Sequence, residues 1–257
     1  MIPLRDNNPT KSFPLITIAL IMMNAYVYWG EISQGQQHEQ AVTGIYGFVP
    51  YKLTHNANPV GFIGQDRRGN LHFKLDKSED PSPNDGNGVF IGPAPEPLWL
   101  TIFTAMFLHG SIMHIAGNML FLWIFGNNVE DALGKLRYLL FYLTCGVIAA
   151  ITQTASDPNS LIPNIGASGA IAGVMGAYIL MWPGARVLTL IPLGCIFVLR
   201  EISAFWVLGI WIVYQAMTAH FQQGGDNGGV AYMAHVGGFV AGLIIALLLG
   251  GRSRARR

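Results

Sequence analysis

Five polar residues of this chain interrupt long apolar stretches, where a polar side chain is costly and is therefore a functional candidate. They are His109, His114, Asn118, Ser168 and His235. A serine, an imidazole and side chains that donate hydrogen bonds are the parts of a site for acyl transfer, namely a nucleophile, a general base and an oxyanion hole.

Ser168 lies where a loop gives way to an apolar helix, in the sequence Gly166-Ala167-Ser168-Gly169. Its backbone N–H is therefore expected at a helix N-terminus, where negative charge is favoured. An alkoxide or a tetrahedral oxyanion that formed there would be stabilised. A serine at a helix start is also typical of an N-cap, so the residue by itself leaves both interpretations open.

His235 lies a few residues inside the last apolar stretch, at a depth similar to that of Ser168. Histidine titrates near neutral pH, which suits it to act as general base for a serine, although a hydrogen bond between helices is an equally ordinary role. Glycines at short spacing follow both residues: Gly169, Gly173 and Gly176 after the serine, and Gly238 and Gly242 after the histidine. Small residues four apart let two helices approach closely, which favours a Ser–His pair.

His114 and Asn118 are four residues apart and so share one face of a helix. Both can donate hydrogen bonds, and together with the Ser168 N–H they could form an oxyanion hole. His109 is five residues before His114 on the same predicted helix, so its side chain points roughly 140° away from that of His114 at about 3.6 residues per turn. We therefore expect a structural role for His109, bonded to the external loop.

Other chemistries fit the sequence poorly, and no metal or other cofactor is expected. The chain has no His-Glu-x-x-His motif for a zinc protease and no glycine-rich phosphate loop. Asp131, Asp157 and Asp226 are expected in loops, so they do not form the pair on adjacent spans that an aspartyl mechanism requires.

Composition places the chain among membrane proteins. It is 51% hydrophobic and 11% charged, whereas soluble domains have about 25% charged residues. The mean hydropathy is +0.39. No basic stripe with interleaved aromatic residues occurs, so nucleic acid is not an expected partner. Cys145 and Cys195 lie in apolar stretches and are expected as small buried residues without a disulfide.

The apolar segments predict an all-α polytopic membrane protein. A helix needs about 20 mainly apolar residues to cross a bilayer, and six segments approach this length: 13–30, 110–127, 136–154, 167–182, 202–220 and 231–249. Residues 31–97 are polar and predict an extramembrane insertion with a few short strands, whose 78–88 portion is a flexible loop. Residues 186–199, interrupted by prolines and glycine, predict a re-entrant or interfacial hairpin rather than a seventh span.

Loop charges predict the orientation. Residues 155–166 and 221–230 contain no Lys or Arg, whereas basic residues collect on the other side and in the tail. By the positive-inside rule both termini are cytoplasmic and the insertion is external. The first apolar run could be a signal peptide, but aromatic residues stand near its end where small residues are expected for cleavage. A retained membrane anchor fits better.

As a set, these motifs resemble the signatures of rhomboid proteases. The matching stretches are His109-x4-His114-x3-Asn118, Gly166-Ala167-Ser168-Gly169, Ala234-His235-x2-Gly238 and the turn-like Gly126–Gly134. The resemblance covers about 98–249, and the first helix more weakly. It implies Ser168 as nucleophile and His235 as base without a third member, and His114 and Asn118 as the oxyanion pair. Glu130 would be a structural loop residue, and His109, Gly169, Gly238 and Gly242 are also expected to be structural.

The resemblance also implies a six-helix rhomboid bundle that cuts single-pass transmembrane proteins near the external face of the bilayer. The expected parts are 1–30 (cytoplasmic N-terminus and first span), 31–97 (insertion), 98–249 (catalytic core) and 250–257 (basic tail). A bacterial cell (inner) membrane is the expected location.

Two other functions compete with proteolysis. An inactive relative would bind membrane helices without cutting them, but such relatives usually lack the serine or the histidine. A small transporter would predict paired broken helices and internal repeats.

One departure from the family pattern concerns Ala172, where some members have an aromatic residue that packs on the catalytic histidine.

Overall fold

The computed structural model describes residues 1–65, 71–76, 88–194, 196–221 and 230–250. Three sequence-based expectations lie wholly or mostly outside these residues: the flexible loop at 78–88, the loop at 221–230 and the tail at 250–257. Cys195 also lies outside them, whereas Cys145 is a buried free thiol.

Helices dominate the described chain. The helices are α1 (Leu15–Ser33), α2 (Gln36–Tyr46), α3 (Pro50–His55), α4 (Leu100–Thr104), α5 (Ile112–Leu133), α6 (Lys135–Ser156), α7 (Ser168–Met181), α8 (Ala204–Phe221) and α9 (Tyr232–Leu248). The strands are β1 (Ile2–Asp6), β2 (Gly61–Gln65), β3 (Leu71–Leu75), β4 (Val89–Ile91), β5 (Arg186–Leu193) and β6 (Ile196–Ser203). A short 3-10 turn, Ala105–Phe107, follows α4.

Each of the six apolar segments forms a helix. Within the described chain, α1, α6 and α8 are long and apolar enough to cross a membrane, and α4 with α5 adds a fourth candidate if this pair, bent by 94°, is one span. Helices α7 and α9 are apolar but shorter, with 14 and 17 residues. The structure is therefore a mostly helical membrane protein with three or four candidate spans.

The expected boundaries need two corrections. The second predicted segment ended at residue 127, but α5 continues to Leu133 because Gly134, with φ of +81°, first breaks the helical backbone. The polar insertion contains more than short strands. It begins with α2 and α3 and continues with an antiparallel sheet in the order β3-β2-β4.

Residues 186–203 form a β-hairpin, and β1 adds to it as a third strand. The strand order is β1-β5-β6, with antiparallel neighbours throughout. Asp6, at the end of β1, accepts hydrogen bonds from Tyr178 Oη at 2.6 Å and from Asn128 Nδ2 at 2.8 Å. The N-terminal strand is thereby fixed to α7 and α5. The prediction of a hairpin instead of a seventh helical span agrees with this structure.

Glu130 is part of α5, so the expectation that it lies in a loop is wrong. Its carboxylate accepts from the backbone N–H groups of Ile16 and Thr17, at 2.9 and 2.7 Å, and from the Thr17 hydroxyl at 2.8 Å. These N–H groups open α1 and have no partner within their own helix. The structural role expected of Glu130 is thus that of an anionic cap on α1.

Glycines bring α7 and α9 into backbone contact. A Cβ atom added to Gly238 would overlap the Gly169 carbonyl oxygen, and one added to Gly242 would overlap the Gly173 backbone. A Cβ on Gly176 would likewise overlap the Phe239 carbonyl. The two helices can approach this closely only because these positions have no side chain.

We expect Gly242→Ala to lower the free energy of unfolding in detergent by about 1–3 kcal/mol, since the added methyl must displace α7. Gly209→Ala is the matched control, because a Cβ there meets nothing within 4 Å. It should be neutral or stabilising, by up to about 1 kcal/mol, because alanine favours helix more than glycine does. Equal stability of the two variants in a chemical denaturation series would contradict the close contact.

Candidate active site

Ser168 and His235 meet where α7 and α9 cross. Ser168 Oγ lies 2.8 Å from His235 Nε2, a hydrogen-bonding distance. Both side chains are half-buried. The glycine contacts described above place the serine-bearing end of α7 directly against the first turns of α9, so the close helix packing produces this pair.

The loop before α7 aims Ser168 at this position. Gly166 has φ of +115°, a conformation that side chains rarely adopt, and its N–H donates to the Ala105 carbonyl at 2.8 Å. Ser168 is the first residue of α7. Its N–H is therefore free of intrahelical bonding and points toward the helix start, as the sequence predicted.

His114 and Asn118 lie beside this loop. A Cβ built on Gly166 would lie 2.8 Å from His114 Nε2 and 3.6 Å from Asn118 Nδ2. The glycine therefore leaves room for both side chains two residues before Ser168. Their position on one face of α5 agrees with the four-residue spacing, and the helix starts here because the Ser111 hydroxyl accepts from the His114 N–H at 3.1 Å.

His109 is not on the second helix, so the estimate of its direction was wrong. It lies in the turn between α4 and α5, and its ring is 5.0 Å from that of His114, centroid to centroid. The helix is interrupted here because Leu108 is extended and Ser111 caps α5. The expected bond to the external loop is also absent from the described contacts of the ring.

The ring of His109 instead orients Asn118. Its Nδ1 faces the Phe107 carbonyl at 3.3 Å, which can only accept, so Nδ1 carries the hydrogen. Its Nε2 then accepts from Asn118 Nδ2 at 2.9 Å. The amide nitrogen of Asn118 has a second hydrogen, which remains available for a developing negative charge near Ser168. The backbone N–H of His109 donates to Glu31 at 3.2 Å.

A cavity of about 50 Å³ opens beside Ser168. Small and apolar side chains of the 3-10 turn, α6, α7 and the start of α9 line most of it, together with the amide of Gln153. Gln153 Oε1 accepts from the Ala234 N–H at 3.2 Å and so holds the residue before His235. The cavity offers room for a small group next to the serine hydroxyl.

The insertion contacts the segment that leads to Ser168. Phe48 and Asn164 exchange backbone hydrogen bonds of 3.1 and 2.7 Å, and the Tyr51 N–H donates to the Ser160 carbonyl at 3.0 Å. The Thr54 hydroxyl donates to the Pro158 carbonyl at 2.7 Å. Residues 48–54 of the insertion thus hold the loop that positions the candidate nucleophile.

Sequence reasoning missed the residues that surround His235. Gln215 Oε1 lies 2.7 Å from His235 Nδ1, and the Trp211 ring lies 5.7 Å from the imidazole, centroid to centroid. Ala172 is fully buried and provides no ring; the aromatic neighbours of His235 are Trp211 of α8 and Tyr232 of α9. The sequence contained a signal that could have identified Gln215, because it is a polar residue inside the apolar segment 202–220.

This arrangement has the parts for acyl transfer: a hydroxyl within hydrogen-bonding distance of an imidazole nitrogen, an amide N–H donor and the first N–H of a helix. Within the described residues, no group of three His, Cys, Asp or Glu side chains could hold a metal ion.

The Rhomboid domain family matches residues 96–252, more than half of the chain. The chain is 33% identical over 152 residues to Rhomboid protease GluP of Bacillus subtilis, covering 59% of this chain and 26% of that protein. It is 29% identical over 161 residues to Rhomboid-like protein 11, chloroplastic, of Arabidopsis thaliana, covering 60% and 53%.

A third relative is Rhomboid protein 1, mitochondrial, of Saccharomyces cerevisiae, which is 26% identical over 151 residues, covering 56% of this chain and 40% of that protein. The chain therefore spans about a quarter to a half of the length of these curated relatives.

We expect a fluorophosphonate probe to label the purified protein at Ser168, because the imidazole can remove the hydroxyl proton as the Oγ–P bond forms, the P–F bond breaks and fluoride leaves. Ser168→Ala should abolish the label and His235→Ala should slow it strongly. Ser33→Ala, which removes an exposed hydroxyl of α1, is the control and should label normally. Mass spectrometry locates the adduct, and modification of a different serine would contradict the assignment.

Proposed function

This chain belongs to the rhomboid family, and we propose that it is an intramembrane serine endopeptidase with Ser168 as nucleophile and His235 as general base. The observation that carries the proposal is the 2.8 Å contact between Ser168 Oγ and His235 Nε2, between two apolar helices. A hydroxyl and an imidazole at this distance can exchange a proton during attack on a carbonyl.

The proposed reaction has two acyl-transfer steps. Ser168 Oγ attacks the carbonyl carbon of the peptide bond while its proton moves to His235 Nε2. The imidazolium then protonates the leaving amine, and an acyl-enzyme remains on Ser168. In the second step His235 removes a proton from water, which attacks the ester carbonyl; the Oγ–C bond then breaks, the imidazolium returns its proton to Ser168 Oγ, and the carboxylate product leaves.

Three donors are proposed for the oxyanion: the Ser168 N–H, Asn118 Nδ2 and the ring of His114. Asn118 is suited to the role because the His109 ring already fixes its amide and leaves one hydrogen to donate. Donors that are oriented before the reaction need no rearrangement as charge develops, which is the basis of their effect.

The length of α7 supports a site below the membrane surface. Its 14 residues extend about 21 Å at about 1.5 Å per residue, whereas the hydrocarbon core is about 30 Å thick. We propose that the end of this short helix at Ser168 is the one recessed from the membrane surface, and the cavity beside Ser168 offers a place for water. A transmembrane segment could thus be cut within the membrane or at its edge.

The substrates proposed are single-pass transmembrane proteins in the lipid bilayer. Rhomboid family membrane proteins act on transmembrane substrates, and one relative is by name a rhomboid protease. Six spans, both termini in the cytoplasm, an external 31–97 insertion and a bacterial inner membrane complete the proposal. The positive-inside charge pattern supports this orientation.

The decisive experiment is cleavage of a model single-pass substrate by the purified protein in detergent or nanodiscs. Ser168→Ala and His235→Ala should each abolish cleavage, and the double variant should be no worse than either, since the two residues act as a unit. Ser33→Ala should cut normally. Substrate binding without cleavage by the native chain would instead identify a membrane-helix-binding relative.

A second experiment addresses the oxyanion donors. Asn118→Ala and His114→Ala should lower kcat by about 10²–10³ with little change in KM, because a donor to the transition state is lost. Asn127→Ala, at the other end of α5, is the comparison and should keep kcat within about twofold. An Asn118→Ala enzyme with native kcat would remove that residue from the oxyanion hole.

A further inference from the structure

The side of His235 that faces away from Ser168 is occupied by a buried amide. Gln215 is 7% exposed, and its Oε1 lies 2.7 Å from His235 Nδ1. Gln215 is part of α8, whose outer face carries large exposed apolar side chains such as Trp206, Ile210 and Val213. In such a helix a polar side chain that points inward needs a partner, and the described partner is the imidazole.

The direction of this bond determines where the His235 proton resides. An amide oxygen only accepts, so a contact between Oε1 and Nδ1 requires a hydrogen on Nδ1. In a neutral imidazole the other nitrogen, Nε2, is then unprotonated and is an acceptor. Nε2 is the atom that faces Ser168 Oγ. The same bond thus gives His235 the tautomer that a general base for Ser168 needs.

Neighbouring rings hold the imidazole in the same orientation. Trp211 is four residues before Gln215 and therefore on the same face of α8. Its ring lies 5.7 Å from the His235 ring at an interplanar angle of 39°, and the Tyr232 ring meets His235 edge-on at 6.4 Å. Helix α8 consequently supplies both an aromatic contact and a hydrogen-bond acceptor to the residue on α9.

We propose that Gln215 is a positioning residue, the third member of a Ser168–His235–Gln215 triad that fixes the reactive tautomer of His235. Only the kinetic consequences of this proposal rest on the proposed function. The Nδ1–H tautomer itself can be observed without a substrate. A neutral amide orients the imidazole as a carboxylate does, but it stabilises the imidazolium less, since it carries no charge.

The direct test is nuclear magnetic resonance of the full chain labelled with ¹⁵N-histidine in detergent. His235→Ala identifies the resonances of His235. The native protein should show a protonated Nδ1 and an unprotonated Nε2 for this residue at neutral pH. In Gln215→Met, which has a similar volume but cannot accept this bond, the preference should be lost. A native His235 with its proton on Nε2 would overturn the proposal.

The kinetic test uses the same variants with a transmembrane substrate. Gln215→Met should lower kcat by about 10–100-fold with KM nearly unchanged, less than the ~10⁴-fold effect of disabling a triad aspartate. Leu208→Met is the matched control, because Leu208 is fully buried on α8 two turns before Gln215. It should retain kcat within about twofold. Native kcat in a folded Gln215→Met protein would overturn the triad.

A charge substitution separates orientation from packing. In Gln215→Glu a carboxylate would accept the same bond and stabilise the imidazolium, so turnover should be retained while the acid limb of the pH–rate profile moves to higher pH. His114 and Tyr232 are the titratable neighbours of His235 on α5 and α9, and neither is altered. An unmoved acid limb in an active, folded Gln215→Glu protein would contradict contact with Nδ1.

The two proposals fail in different ways. If Ser168→Ala or His235→Ala still cut the substrate, the proteolytic mechanism would be wrong, and the tautomer of His235 would still decide whether Gln215 holds Nδ1–H. If both variants are inactive and Gln215→Met is normal, the dyad is sufficient and Gln215 is not part of the machinery.

Discussion

The contact between the backbones of α7 and α9 is the constraint on which the candidate site depends. A serine side chain is short, so it reaches an imidazole on another helix only if the two helices lie unusually close. Gly238 and Gly242 meet the carbonyl groups of Gly169 and Gly173 with no room for a Cβ atom. The Ser168–His235 pair follows from this packing, since both residues occupy the ends of the helices that the glycines bring together.

Three polar side chains inside the apolar bundle are paired with a specific partner, as expected where lipid offers none. Glu130 caps α1, His109 holds Asn118 and Gln215 meets His235. In every case the bond joins two segments that are distant along the chain or separated by a turn. The same bonds that satisfy buried polar groups therefore also fix the relative positions of the helices and of the side chains of the candidate site.

The described part of the insertion is coupled to the site through backbone hydrogen bonds and through the Thr54 hydroxyl. The pairing of Phe48 with Asn164 ties it to the loop that precedes Ser168. At the other end of the bundle, β1 and the hairpin are fixed to α7 and α5 through Asp6. Both ends of the serine-bearing helix are thus held by structure outside the apolar core.

The sequence by itself determined the helices, the candidate site residues and the resemblance to the family, because apolar length, glycine spacing and the rarity of polar residues in spans are local properties. It placed Ser168 at a helix start and Glu130 in a structural role. It misplaced His109, because spacing along an assumed helix cannot reveal that Ser111 starts the helix after it. It also placed Glu130 in a loop, whereas the structure is helical as far as Leu133.

Only the tertiary structure decided which side chains meet. His235 contacts Gln215 and Trp211 of α8, whereas Ala172 of α7 provides no ring. These contacts depend on how the three helices are rotated against one another. Helix rotation is set by packing over the whole bundle, and an apolar sequence such as α8 presents no clear polar face from which to read it. The sequence therefore named Ser168 and His235 as the candidate nucleophile and base, whereas the fold determined which side chains contact His235.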